Sequence, residues 1–377
     1  MRALQNGDSI SKSSPRIITD GAILGPHMTI MELFRIDLPI IQAPMAGAQG
    51  SAMAIAVSSA GGLGSLPAAM LSVEALRGEI AAIRAATDRP FNVNFFCHTP
   101  PPVDAAREAA AWRETLAPYY DELGVDRASV PAGPARAPFD EAFAAIVEEL
   151  RPPVVSFHFG LPTEPLLDRV RRTGATILSS ATTVEEALWL AAHGVDAVIA
   201  QGAEAGGHRG MFLTDDVTTQ LGTLALLPQI VDAVDVPVIA AGGIADARGV
   251  AAALTLGAAG VQVGTAYLLC PESTISAVHR AALESAHHTA LTNVITGRPA
   301  RGIVNRVMRE LGPMRDGVPP FPLATNAVMP LRAAAESRGS GDFSPLWSGQ
   351  NASRCRAIPA AQLTRELCGS GFSPPPT

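Results

Sequence analysis

His208 closes the segment Gln201-Gly-Ala-Glu-Ala-Gly-Gly-His208-Arg-Gly210, directly after the apolar run Asp196 to Ala200. An imidazole titrates near neutrality and so suits proton transfer. Four glycines among ten residues let the main chain pass close to a ligand. Two further glycine turns, Ala241-Gly242-Gly243-Ile244 and Gln262-Val263-Gly264-Thr265, offer main-chain N–H groups and a hydroxyl. Such groups can hold a dianion without a lysine. Met45, in Gln42-Ala-Pro-Met45-Ala-Gly47, has a polarisable side chain that can pack on a planar ring, although a rim methionine is the plainer reading. Asn92 and Asn94 alternate within Phe91 to Phe96 and so share one strand face. A buried amide left unpaired costs about 1–3 kcal/mol, so these asparagines need partners, from a ligand or from the main chain. His158 is a weaker candidate for lining the same pocket, and Glu204 reads as a cap on the glycine loop. His98, His193, His279, His287 and His288 read as structural or surface histidines.

The elements that must position these groups alternate. Leu38–Ala43, Gly62–Leu66, Phe91–Phe96, Val154–Phe157, Ala175–Ser179, Ala197–Ala200, Val238–Ala241 and Gly260–Val263 read as strands separated by amphipathic segments. Eight such units in about 240 residues fit an α/β fold of the (β/α)8 TIM-barrel type better than a doubly wound open sheet. Barrel ligands sit at the carboxyl ends of the strands, with phosphates after strands seven and eight, where both glycine turns fall. Thr183 with Glu186 spells a capping box. Asp246 can cap a helix that Gly257 ends. Two regions break the rhythm. Residues 100–151 predict a helical insertion after the third strand, with a surface turn at Pro131 to Pro134. Residues 281–377 predict a helical extension that covers the barrel as a lid. Neither reads as having a core of its own. Residues 1–27 lack periodicity and read as a disordered extension, leaving 28–377 as a single barrel domain.

Composition narrows the partners. With 47% hydrophobic and 17% charged residues, the chain can bury a large core. Its 35 acidic against 28 basic residues, a net charge of -7, argue against a broad nucleic-acid surface and leave small anions open. Cys97, Cys270, Cys355 and Cys368 are scattered, with no metal-ligand spacing, as expected of reduced thiols in the cytoplasm. No apolar run is long enough to span a membrane.

The motifs from Gln42 to Gly47, Phe91 to Phe96, Ala200 to His208, Ala240 to Ile244 and Gln262 to Thr265, taken together and in order, resemble those of the class I nitronate monooxygenases, formerly called 2-nitropropane dioxygenases. Pro345-Leu-Trp-Ser-Gly-Gln350 is similar as well, and the likeness runs from about Met28 to Leu367. It implies a (β/α)8 barrel holding FMN, and oxidation of alkyl nitronates by O2 to a carbonyl compound and nitrite. It also implies FMN contacts at Met45, Asn94, Gln201, Gly206, Gly242, Gly243, Gln262, Val263, Gly264 and Thr265, with His208 as the active-site histidine. Whether His208 acts as a base or only as a hydrogen-bond donor stays open. A homodimer is compatible with the sequence, which sets no subunit number. The alternatives are an NAD(P)H-dependent enoyl-thioester reductase on the same scaffold and a non-catalytic flavin-binding barrel.

Overall fold

Eight short, β-rich runs form a parallel sheet that curls on itself: β1 (Ile40–Gln42), β2 (Gly64–Pro67), β3 (Phe91–Phe96), β4 (Val154–His158), β5 (Thr176–Ala181), β6 (Ala197–Gln201), β8 (Val238–Ala241) and β9 (Gly260–Val263). The two-residue strand β7 (Gly207–His208), β10 (Thr289–Thr292) and β11 (Ala300–Ile303) form a separate antiparallel sheet. The structure, a computed structural model, describes residues 29–102, 105–130, 136–285 and 288–369. Residues 1–27, the Pro131–Pro134 turn and His287 lie outside the described residues. Around the barrel the order is β1-β9-β8-β6-β5-β4-β3-β2. A parallel bridge between Ile41 and Leu63 closes the ring, with Leu63 N donating to Ile40 O at 2.9 Å and Gln42 N to Leu63 O at 3.0 Å. Each expected strand is present, with ends shifted by a residue or two.

Alternation along the strands divides two cores. Phe91, Val93 and Phe95 point outward and pack with Leu76, Ile80 and Ile83 of the crossover helix Val73–Ala86. Inside the barrel, Ile41, Leu63, Leu178 and Ile239 pack with Ile30 and Phe34 of the short helix Ile30–Phe34, which plugs the amino-terminal end. Gly260 is required there, since a Cβ would lie 2.0 Å from Ile30 Cδ1. Above the plug the interior turns polar. Asn92 Nδ2 donates to Ser65 Oγ and Ser156 Oγ at 3.0 and 2.9 Å, and Gln42 bonds Gln49 and the Ser65 amide.

Thr183 does accept from the Glu186 amide, but the reciprocal half of the expected capping box is missing. The fully buried Glu186 carboxylate turns instead to Thr182 N, Thr182 Oγ1, Phe212 N and Leu213 N, at 2.6, 2.7, 2.6 and 3.2 Å. The loop leaving β7 brings donors that outcompete the helix's own terminus. Asp246 caps its helix as expected, accepting from Arg248 N and Gly249 N, and Gly257 follows the last turn at φ +94°.

The insertion after β3 contains the helices Ala106–Thr115 and Ala117–Leu123 ahead of the crossover helix Glu141–Leu150. Trp112, Leu116, Tyr119 and Tyr120 bury themselves against Val307, Ala327, Val328, Leu331 and Phe343 of the C-terminal extension. The two irregular segments, whose sequences suggest no core of their own, thus share one separate from the barrel's. Glu186→Ala removes the acceptor of the buried Thr182 amide and of the part-buried Phe212 and Leu213 amides, and is expected to cost about 3 kcal/mol. Denaturant unfolding checks this, and a loss below about 1 kcal/mol would show that the Glu186 bonds do not hold the loop.

Candidate active site

Loops at the carboxyl ends of the strands enclose a cavity of about 370 Å³. Met45, Asn94, Gln201, Gly206, His208, Gly242, Gly243, Gln262, Gly264 and Thr265 all line it. Val263 does not, because strand alternation turns Gln262 inward and sends Val263 into the barrel–helix core, where it is buried. Gly242 and Gly243 hold φ values of +124° and +70°, conformations that a side chain would strain. The N–H groups of Gly243 and Gly264 donate to no described residue, so the mouth retains free donors where a phosphate would sit. Gln262 lines the cavity, and its Oε1 is buried with no hydrogen-bond partner among the described residues. A ring-bearing, phosphate-tailed cofactor fits this donor set.

Gly206 must be glycine for a different reason. A Cβ there would lie 2.5 Å from Gly349 N, in the chain segment that folds back over the mouth. That segment is pinned by Gly349 N to Thr265 Oγ1 (2.9 Å), Gln350 N to Glu204 O (3.0 Å) and Asn351 Nδ2 to Gly243 O (2.9 Å). Its Trp347 reaches the cavity. Glu204, read from sequence as a loop cap, caps the following helix instead, accepting from Thr223 N and Oγ1 at 2.8 Å each.

The glycine loop is held rigidly. Gln201, expected at the cofactor, also ties its own loop: its amide donates to His208 O at 3.0 Å and accepts from Gly210 N at 2.7 Å. Arg209, fully buried, donates to Gln201 O, Gly202 O and Gln220 Oε1 at 2.6, 2.7 and 3.0 Å. His208 itself pairs with Ala300 in the antiparallel ladder, which places its ring among Phe96, Phe159, Phe321 and Trp347, with centroids 5.2 to 6.2 Å away. Its Nε2 lies 3.0 Å from Thr296 Oγ1. Burial, helped by the nearby Arg136, His158, Arg298 and His98, holds its pKa well below the usual imidazole value. The ring is therefore neutral near pH 7.

His158 lines the cavity as its sequence position suggested. Its Nε2 donates to His208 O at 3.2 Å, which leaves Nδ1 to accept from Ser180 Oγ at 2.6 Å, and burial lowers its pKa to about 3. Sequence reasoning missed three residues of the site. Arg136, in the insertion, carries no local signal; it lines the cavity and lies over the Phe321 ring at 5.8 Å. His279, which the sequence suggests is structural, also lines the cavity, and Thr296, in the β10–β11 turn, reaches the site only through the His208 ring.

His98 and His279 are also held down by burial, each to about 4. Unfolding frees all four imidazoles to take a proton near pH 6.5, whereas the folded chain keeps them neutral. Stability is thus expected to fall as the pH drops from about 6.5 towards 4, by up to about 1.4 kcal/mol per pH unit for each histidine. Melting temperatures between pH 8 and 4.5 check the slope; a flat profile below pH 6.5 would contradict it.

A closed (β/α)8 barrel with a glycine-lined, imidazole-bearing cavity at the carboxyl ends of its strands defines the class, a barrel enzyme of the cofactor-dependent kind. The chain belongs to the nitronate monooxygenase family, whose model matches residues 27–370. A nitronate monooxygenase from Pseudomonas aeruginosa is 45% identical over 342 residues, covering 89% of this chain and 96% of that protein. The crystal structure of a nitroalkane oxidase from Streptomyces ansochromogenes superimposes with a TM-score of 0.81 at 39% identity, covering 90% of this chain and 96% of that one. FabK from Thermotoga maritima shares the architecture at a TM-score of 0.68 and 28% identity, over 90% of this chain and 94% of that one. The family is one of flavin-dependent oxidoreductases. No helix among the described residues is long and apolar enough to cross a membrane.

Proposed function

We propose that the chain binds FMN in this cavity and, with O2, oxidises alkyl nitronates such as propionate 3-nitronate to a carbonyl compound and nitrite. The observation that carries the reading is one neutral imidazole, His208, on the same cavity wall system as two glycine turns with free N–H groups. Gly242, Gly243, Gly264 and Thr265 would hold the phosphate. Met45 would pack on the ring, with the Asn94, Gln201 and Gln262 amides at its polar edge and Gly206 leaving it room. Val263 supports the turn from behind. Bound flavin supplies the redox chemistry between substrate and O2.

The chain's own residues bind, orient and keep the site dry. Phe96, Phe159, Phe321 and Trp347 surround the imidazole with apolar surface and keep water from the reacting atoms. Arg136 lines the cavity and has no ion-pair partner among the described salt bridges, so although burial lowers its pKa, a guanidinium stays charged near neutrality and is free to meet an anion. The described residues between 288 and 369, docked through Gly349 and Trp347, would serve as the cover and belong to the same domain as the barrel. The four cysteines are free thiols, which fits a reduced cytoplasmic setting, and burial pushes Cys270 and Cys355 up to about 12, which makes them poor nucleophiles.

Purified protein should carry a flavin visible spectrum with FMN as the extracted species, and should consume O2 and release nitrite on addition of propionate 3-nitronate. Binding of FMN without turnover of any nitronate would leave a non-catalytic flavin barrel. Rapid anaerobic bleaching by NADH would instead favour the enoyl-thioester reductase. His208→Asn should cut turnover of a neutral nitroalkane about 100-fold and retain FMN, because the phosphate grip lies elsewhere. Arg136→Met should raise the KM for propionate 3-nitronate about tenfold, the loss of one charge contact at moderate effective dielectric. An unchanged KM would remove Arg136 from substrate capture.

A further inference from the structure

We infer that Thr296 is a positioning residue: it fixes the His208 ring with its proton on Nε2 and so presents the bare Nδ1 to the cavity as the base for a neutral nitroalkane. The inference rests on the reading that His208 faces the substrate. A threonine hydroxyl has one proton to give and two lone pairs with which to accept. The Thr296 hydroxyl donates to Arg298 O at 3.2 Å. A carbonyl can only accept, so with the hydroxyl proton directed at Arg298 O, Nε2 of His208, 3.0 Å away, is assigned as the donor of their contact. Nδ1 is bonded to no described residue and is not sealed from solvent, so it is the nitrogen left open to the cavity that His208 lines.

The fold keeps this arrangement in register. Thr296, buried, sits in the turn between β10 and β11, and β11 pairs with His208 at Ala300. The turn cannot relax easily. Gly297 holds φ +85°, and a Cβ there would lie 2.1 Å from Pro319 O. The charged and titratable groups facing the ring are Arg136 from the insertion, His98 from the segment after β3, His158 from β4 and Arg298 from the same turn. None is a carboxylate that would hold a proton on the opposite nitrogen.

The proton transfer then balances. The α-C–H bond breaks, its electron pair forms the C=N bond, the nitro oxygens take the negative charge and the proton ends on Nδ1. A preformed nitronate bypasses this step, so the two substrates read the Thr296 contact differently. The test uses the FMN-loaded enzyme with 15N-labelled histidine, whose nitrogen shifts report which ring atom is protonated, the His208 signals being those lost in His208→Asn. The wild type is expected to show His208 protonated at Nε2. Thr296→Val should mix the tautomers and lower the ratio of nitroalkane to nitronate kcat/KM about tenfold or more, and Thr296→Ser should restore both. His208 protonated at Nδ1 in the wild type overturns the inference, and this needs no variant to fold. A ratio in Thr296→Val within about twofold of wild type, including a parallel fall of both reactions, overturns it too. Failure of the wild type to oxidise any nitronate would sink the functional reading instead, and the tautomer would still decide the contact.

Discussion

The barrel mouth depends on one buried cation. Arg209 is wholly enclosed, and a lone charge in such a place is costly unless each donor finds an acceptor. Its acceptors are the carbonyls of Gln201 and Gly202, at the end of β6 where its own loop begins, and the Gln220 side chain. Burial lowers its pKa only to about 10, so the charge persists at neutrality. Each charge-assisted bond contributes roughly 1.5–3 kcal/mol. The guanidinium therefore draws the far end of the glycine loop back onto the strand it left. His208, one residue earlier, has little choice of position.

From that anchor the remaining parts follow in sequence. Fixing the loop allows Gly207 and His208 to pair with β11, and β11 carries the C-terminal extension to the mouth. The extension settles on Thr265, Glu204 and Gly243, the same loops that would grip a phosphate. Behind it, the insertion after β3 fills the extension's other face through Trp112 and Tyr120, whose hydroxyl bonds Ala327 O. Two segments remote in sequence thus cover the cavity as one body.

Sequence periodicity revealed the strands because each buries one face in the barrel and the other under helices, and such constraints act residue by residue. The glycine turns were legible for the same reason: backbone conformations at Gly242 and Gly243 leave few alternatives to glycine. What was not legible depends on partners distant along the chain. Val263 was grouped with its motif although its parity in β9 sends it outward, a distinction that alternation from Gln262 already contained. Glu186 was assigned to its own helix terminus because the competing amides of Phe212 and Leu213 lie 26 and 27 residues away. Gln201 proved to be a fastener of the loop as much as a cavity residue, and Glu204 a cap on the following helix. Arg136, His279 and Thr296 enter only once the insertion and the extension close over the barrel, a packing that no local pattern encodes.

The low proton affinity of the cavity's imidazoles has one more consequence. A site whose histidines stay uncharged over the physiological range keeps a nearly constant electrical character, set by arginines such as Arg136 and Arg298 that do not titrate there. The variable charge then belongs to the arriving molecule. A carbon acid enters either as its neutral parent or as its conjugate base, and the solution outside decides the proportion. On the reading proposed above, the first would meet the free nitrogen of His208 and the second the charge of Arg136, so the medium, more than the enzyme, would select between the two routes.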